Sequence, residues 1–311
     1  MQGINHRIKI IFLLMTFVFT FIPAGDPQPE NKTVLVIKQS DFEPIPTIIK
    51  NVRNGLAKTD PNLKVQEATV DNANMAIAKI NEISPDVILL IGADIGKFLA
   101  ENSKNIPIVI SDMFKPKYAS EFPNNRCVVN SLYMPVGIRI GYAQKILSNI
   151  KTIGIIYNPA KNSDVLEDAE KYGNTHELTI KRFPVSTEKD IQAIEKMKID
   201  TLLLIPDSLV CSAISLKHIA ELCLQEQVPM VGISEYFAQT GTVAAISPNF
   251  ELYSKQVITT IESLLRGTPI TAIQGTFPES ADYFINAAIA KAENIKIKDE
   301  VTRGAKKIFG R

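Results

Sequence analysis

The feature that most constrains this 311-residue chain is an alternation between short, continuous apolar runs and longer segments with helical spacing. Thr33-Val-Leu-Val-Ile37, Val87-Ile-Leu-Leu-Ile91, Thr152-Ile-Gly-Ile-Ile156 and Thr201-Leu-Leu-Leu-Ile205 are such runs, and 63–70, 106–110, 126–129, 176–183, 228–232 and 242–246 read as further strands. Strands covered on both faces look like this, because neither face is left for polar residues. Between them, 45–56 places Ile48, Ile49, Val52 and Leu56 on one face, and Asp71 stands where an N-cap is wanted for the helix carrying Met75, Ile77 and Ile80. Helices are also expected at 94–101, 134–147, 163–172, 187–197, 208–225 and 249–266, the last closed by Gly267. A strand candidate at 283–285 and a terminal helical segment follow. Two successive βαβα runs imply an α/β chain of two doubly wound, Rossmann-like parallel sheets.

Composition excludes some classes. Apolar residues make up 45%, enough for two cores, and the net charge of +1 with no basic run leaves no electrostatic footprint for nucleic acid. Arg7 and Lys9 precede an apolar run from Ile10 to Ile22 that Pro23 and Ala24 end. This is the layout of a signal peptide over 1–24, which implies export to the periplasm or beyond. A retained anchor helix is the alternative, although the run falls short of the ~20 residues that span a bilayer. Cys211 and Cys223 are expected on one helix, about 18 Å apart and beyond disulfide reach. With Cys127 in an apolar strand, three unpaired and mostly buried thiols are expected.

In doubly wound sheets, ligands sit outside the carboxyl ends of the strands. That rule selects Gln39, Ser40, Asp41 and Phe42; Gly92, Ala93 and Asp94; Ser111 and Asp112; Tyr157 and Asn158; Asp207 and Ser208; and Ser234 and Glu235. Short polar side chains and free N–H groups at helix starts can hold a ligand's carboxylate or hydroxyls. The same residue types are also ordinary N-caps, so each position admits both readings. His6, His176 and His218 lack zinc-ligand spacing. Gly232-Ile-Ser234-Glu-Tyr236 lacks the second Gly of a nucleophile elbow, and Gly92-Ala-Asp-Ile-Gly96 is not a dinucleotide fingerprint. No metal, cofactor or catalytic set is therefore expected. The pattern reads as a binding protein rather than an enzyme.

The segment Ile150-Lys-Thr-Ile-Gly-Ile-Ile-Tyr-Asn-Pro-Ala-Lys-Asn-Ser163 carries a resemblance, supported by Asp86-Val-Ile-Leu-Leu-Ile-Gly92, Ile205-Pro-Asp-Ser208, Val228-Pro229 and Phe284-Ile-Asn-Ala-Ala288. In these the chain resembles the substrate-binding proteins of ABC transporters with the type I periplasmic-binding fold, and within them the tryptophan/tyrosine transport-system branch. The resemblance implies a monomer with a ligand cleft between two lobes, a small solute such as an amino acid, and an ABC permease as membrane partner. A ligand-sensing accessory of a membrane signalling protein would share every one of the sequence features and differ only in its partner. The resemblance adds Asn162 and Ser163 to the expected contacts. It implies hinge crossings near Asn130, at 247–249 and after Ile273, so that lobe 1 comprises 31–130 plus 249–275 and lobe 2 comprises 131–248 plus 276–311. Three stretches depart from the branch near the expected ligand: Ser40-Asp-Phe-Glu-Pro44, Asp112-Met113 and Ser247-Pro-Asn-Phe250. They leave the fold inference intact but give no support to an aromatic amino acid as ligand.

Overall fold

Each apolar run becomes a strand whose alternate side chains enter different cores. The computed structural model describes residues 31–41, 43–112 and 122–310, without the side chain of Asp112. The signal-like segment 1–24 and Phe42 lie outside the described residues.

The first lobe runs β1 (Thr33–Lys38), α1 (Ile45–Thr59), β2 (Lys64–Thr69), α2 (Ala73–Ile83), β3 (Val87–Ile91), α3 (Gly96–Asn102), β4 (Ile108–Asp112) and β5 (Cys127–Ser131). Its strands are all parallel, in the order β2-β1-β3-β4-β5. In β1, Leu35 and Ile37 pack toward α2 and α3, while Val34 and Val36 pack toward α1. Each of these four side chains is fully buried, worth roughly 1.5–3 kcal/mol apiece in transfer free energy. Asn72, not Asp71, caps α2: its side chain accepts from the Met75 N–H.

The second lobe runs α4 (Val136–Ile146), β6 (Thr152–Tyr157), α5 (Pro159–Thr175), β7 (Thr179–Pro184), α6 (Glu188–Gln192), β8 (Thr201–Leu203), α7 (Ala213–Glu226), β9 (Met230–Gly232), α8 (Glu235–Thr240) and β10 (Ala244–Pro248). Then come α9 (Phe250–Leu265), β11 (Ala281–Asn286), α10 (Ala287–Ala292), α11 (Asp299–Gly304) and β12 (Lys307–Phe309). The second sheet has the order β12-β11-β10-β9-β8-β6-β7, parallel except for the antiparallel pair β10–β11.

Two expected helices are shorter than their patterns. α6 stops at Gln192 because Met197 and Ile199 both enter the core, a two-residue spacing that extended chain provides and helix does not. α7 begins at Ala213, capped by Ser212, because the Leu209 and Val210 N–H groups bond to the Asp207 carboxylate instead. Cys211 therefore lies in the turn before α7, not on the helix with Cys223, and all three cysteines are free thiols. The periodicity gave no sign of α8 or β12.

The chain passes between the two sheets three times: after β5, between β10 and α9, and before β11. α9 returns to the first sheet, where Tyr253, Val257, Ile261 and Leu264 share a core with α1, β1 and β3. The third passage runs beside β5, with the Ser131 N–H donating to the Thr276 carbonyl. A Cβ on Gly275 would stand 2.2 Å from the Val129 carbonyl oxygen, so only glycine lets the two backbones approach this closely. No described helix is long and apolar enough to cross a membrane.

Candidate functional site

The strand order reverses between β1 and β3 in the first sheet and between β6 and β8 in the second. At the first switch point, the expected contacts are largely engaged within the fold. Asp41 pairs with Lys38, which also meets Glu67; the two carboxylates hold the Lys38 ammonium above its usual range. Ser111 is fully buried and bonds the Tyr253 hydroxyl at 2.6 Å. Tyr253 has one proton, which goes to the Asn130 carbonyl at 2.6 Å, so Ser111 is the donor in that pair. Gly92 takes a left-handed φ of 100°, next to the Gln39 side chain. Ala93 is buried, whereas Asp94 is exposed and Ser40 half-buried.

At the second switch point, Asp207 draws the neighbouring strand ends together. One carboxylate oxygen accepts from the Asn158 N–H at 2.9 Å and from Asn162 Nδ2 at 2.7 Å, and the other accepts from the Leu209 and Val210 N–H groups. Asn158 in turn caps α5 through the Ala160 N–H, and Ser163 donates back to the Pro159 carbonyl. Tyr157 is buried, and Glu235 pairs with Lys307. Asn162, Asp207 and Ser208 line an open depression together with Lys161, Pro206, Cys211 and Ile233.

Beside that depression, and sharing Pro206 and Ile233 with it, lies a cavity of about 210 Å³. This is below the roughly 300–1,000 Å³ of sites for drug-sized ligands, so the space suits a small solute. Its walls come from both lobes and the passages between them: Glu43 and Pro44 at the start of α1, Leu132 to Met134, Val136 and Arg139 of α4, Val165, Ile205, Ser234, 246–248 and Phe250. Of the residues expected from sequence, it includes Ser234, which stands at the N-cap of α8 without making the side-chain cap bond. Phe42 and the Asp112 side chain lie outside the described residues, and the other expected contacts line neither space.

The chemistry of the cavity rests on residues that the strand-end rule did not select. Arg139 is 5% exposed, and its Nη2 donates to the Gly232 carbonyl at 3.2 Å. A guanidinium has five N–H donors, and among the described residues no carboxylate pairs with this one. Burial pulls its pKa down to about 10, so it remains a cation at neutral pH. The Tyr133 hydroxyl is buried and completes no hydrogen bond, though the Val136 amide lies near; burial raises its pKa well above the usual range, so it stays protonated. A signal for Arg139 was present in the sequence: it interrupts the buried stripe of Val136, Ile140, Ala143 and Ile146 on α4. Among the described residues, no three His, Cys, Asp or Glu side chains gather as a metal site.

A substrate binding protein with adhesive properties from Clostridium difficile, in a ligand-free, open structure, is 17% identical, with a TM-score of 0.73 over 90% of this chain and 100% of its own. An ABC domain from Streptococcus pneumonia in complex with L-Trp is 16% identical, with a TM-score of 0.65 over the same shares. A conserved domain protein from Vibrio cholerae is 19% identical, with a TM-score of 0.64, again over 90% of this chain and 100% of that one. No curated protein matches the chain. These likenesses establish the two-lobed, periplasmic-binding-like fold, and the model of the ABC transporter substrate binding protein family matches residues 46–309; the chain belongs to that family.

Proposed function

We propose that the protein is an exported solute-binding protein that holds a small molecule between its lobes and delivers it to an ABC-type importer. The observation that carries this reading is the apolar cavity walled by both lobes at two of their three chain crossings. A ligand that touches both walls favours the arrangement in which they face each other, and three connecting segments allow a hinge motion about them. Family membership supports the transport role, and the signal-like 1–24 segment supports export. The residues around the cavity supply binding groups without a nucleophile–base pair, so we infer binding without turnover. Asn162, Asp207 and Ser208, in the adjoining depression, are proposed as the rim of the same site.

The test is a thermal-shift screen of the purified protein against organic acids, amino acids, sugars and nucleosides. A ligand at a hundred times its Kd stabilises the native state by about 2.7 kcal/mol, well within detection. Stabilisation by one solute class, with the solute recovered unchanged, is the expected result. Chemical conversion of the stabilising solute, or no stabilisation by any class, overturns the reading.

A further inference from the structure

The cavity wall combines features that rarely occur together. It is apolar nearly throughout, yet it contains a cation that is 95% buried and has no anionic partner among the described residues. A buried charge without a counter-charge is costly, and the fold around Arg139 has not supplied one. Three hydroxyls line the same space: Tyr133, buried and protonated with no completed hydrogen bond, Ser234, which leaves its cap bond unmade, and Ser247, which donates to the Pro248 carbonyl at 3.3 Å. A guanidinium flanked by hydroxyl donors matches the geometry and charge of a carboxylate.

Resting on the solute-binding reading above, we propose that the solute is an apolar monocarboxylate whose carboxylate is held by Arg139, with Tyr133 and Ser234 as further donors. Its hydrocarbon body occupies the space beside Val136, Val165, Ile205 and Ile246. The lining also argues against a zwitterion. Glu43 is the one carboxylate in the wall among the described residues; it is exposed, and Thr47 already donates to it at 2.9 Å. An ammonium group next to Arg139 would meet a cation in an apolar enclosure, and the buried carboxylate of Asp207 at the rim already has both oxygens engaged by Asn158, Asn162, Leu209 and Val210.

Calorimetric titration of the full chain with 4-methylpentanoate and 3-phenylpropanoate, beside their amides and their 2-amino counterparts leucine and phenylalanine, tests this. The acids are expected to bind at least tenfold more tightly than either the amides or the amino acids. Arg139→Gln should weaken acid binding at least tenfold, and Tyr133→Phe several-fold. Arg139→Met serves as a second variant if Arg139→Gln does not fold. Equal binding of acid and amide, or acid binding that survives loss of the guanidinium, overturns the anchor while leaving solute binding intact. Tighter binding of leucine or phenylalanine overturns the monocarboxylate class. If none of these acids binds but a sugar or nucleoside does, the inference fails alone; if no solute of any class binds, the solute-binding reading fails with it.

Discussion

Replacing Arg139 by Met is expected to make the solute-free protein more stable while removing its response to solute. Most substitutions of a fully buried residue do the opposite, which makes the sign informative. Burial lowers the Arg139 pKa from the usual guanidinium range to about 10. Below pH 10 both the folded and unfolded chains carry the charge, so the whole desolvation penalty is present at neutral pH and is relieved only as the pH rises through that window. Each unit corresponds to about 1.4 kcal/mol, so the folded state carries a penalty on the order of 3 kcal/mol. Met fills similar space and carries no charge. Against the gain stands the lost hydrogen bond to the Gly232 carbonyl, about 1 kcal/mol. A net gain of roughly 2 kcal/mol remains. The chain has no Trp, so urea unfolding is best followed by far-UV circular dichroism. At a slope near 3 kcal/mol per molar, the midpoint should rise by about 0.7 M at pH 7. An unchanged or lower midpoint for Arg139→Met, measured without solute, would refute the claim that this cation is uncompensated.

Further predictions rest on other parts of the fold. Burial raises the Glu293 carboxyl to about 7, so the folded state keeps a proton that the unfolded state releases near 4.5. Stability is therefore expected to fall as the pH rises through 4.5–7, by about 2 kcal/mol once partial exposure is allowed for, and Glu293→Gln should flatten that slope in urea midpoints taken at pH 5 and 8. Asp207→Ala strands the donors of Asn158, Asn162, Leu209 and Val210, and should cost about 3 kcal/mol in the same assay; a change under about 0.5 kcal/mol would show that water replaces the carboxylate. Gly275→Ala drives a Cβ into the Val129 carbonyl and should lower stability by at least about 2 kcal/mol, whereas the same change at Gly267, whose Cβ would meet open space, should cost only its left-handed strain. Burial raises the Cys127 thiol to about 11 and the Cys223 thiol to about 12, so iodoacetamide at pH 8 should label both far more slowly in the native protein than in urea.

The sheets were legible in the sequence because their strands are covered on both faces. Val87 to Ile91 can be continuous only if both sides are packed, and in the structure every one of them is buried. The antiparallel turn into β11 was not legible, because a short apolar strand carries no mark of its direction. The single turns of α8 and the three residues of β12 are fixed by contacts distant in sequence, such as Asn286 donating to the Ala238 carbonyl. At the site, the strand-end rule found the residues that shape the switch points, and many of their polar groups turned out to be satisfied by the fold itself. Asp207 illustrates this: its position was legible, but two of its four internal hydrogen bonds depend on where Asn158 and Asn162 arrive after another strand. Arg139 was readable only as a charge on a stripe that otherwise packs, and what it faces is set by chain crossings that no local pattern encodes.

Tyr253 has a consequence for the order in which the molecule can be built. Its hydroxyl joins Ser111 and the Asn130 carbonyl, residues 142 and 123 positions earlier in the chain. The first sheet is complete in strand content by Ser131, but the face that α9 covers stays open until the chain has been made past residue 265. Synthesis proceeds from the N-terminus at roughly 5–20 residues per second, so more than a hundred residues must follow before that face can close. The first sheet made thus waits for α9, and the nascent chain presents an unfinished sheet for many seconds.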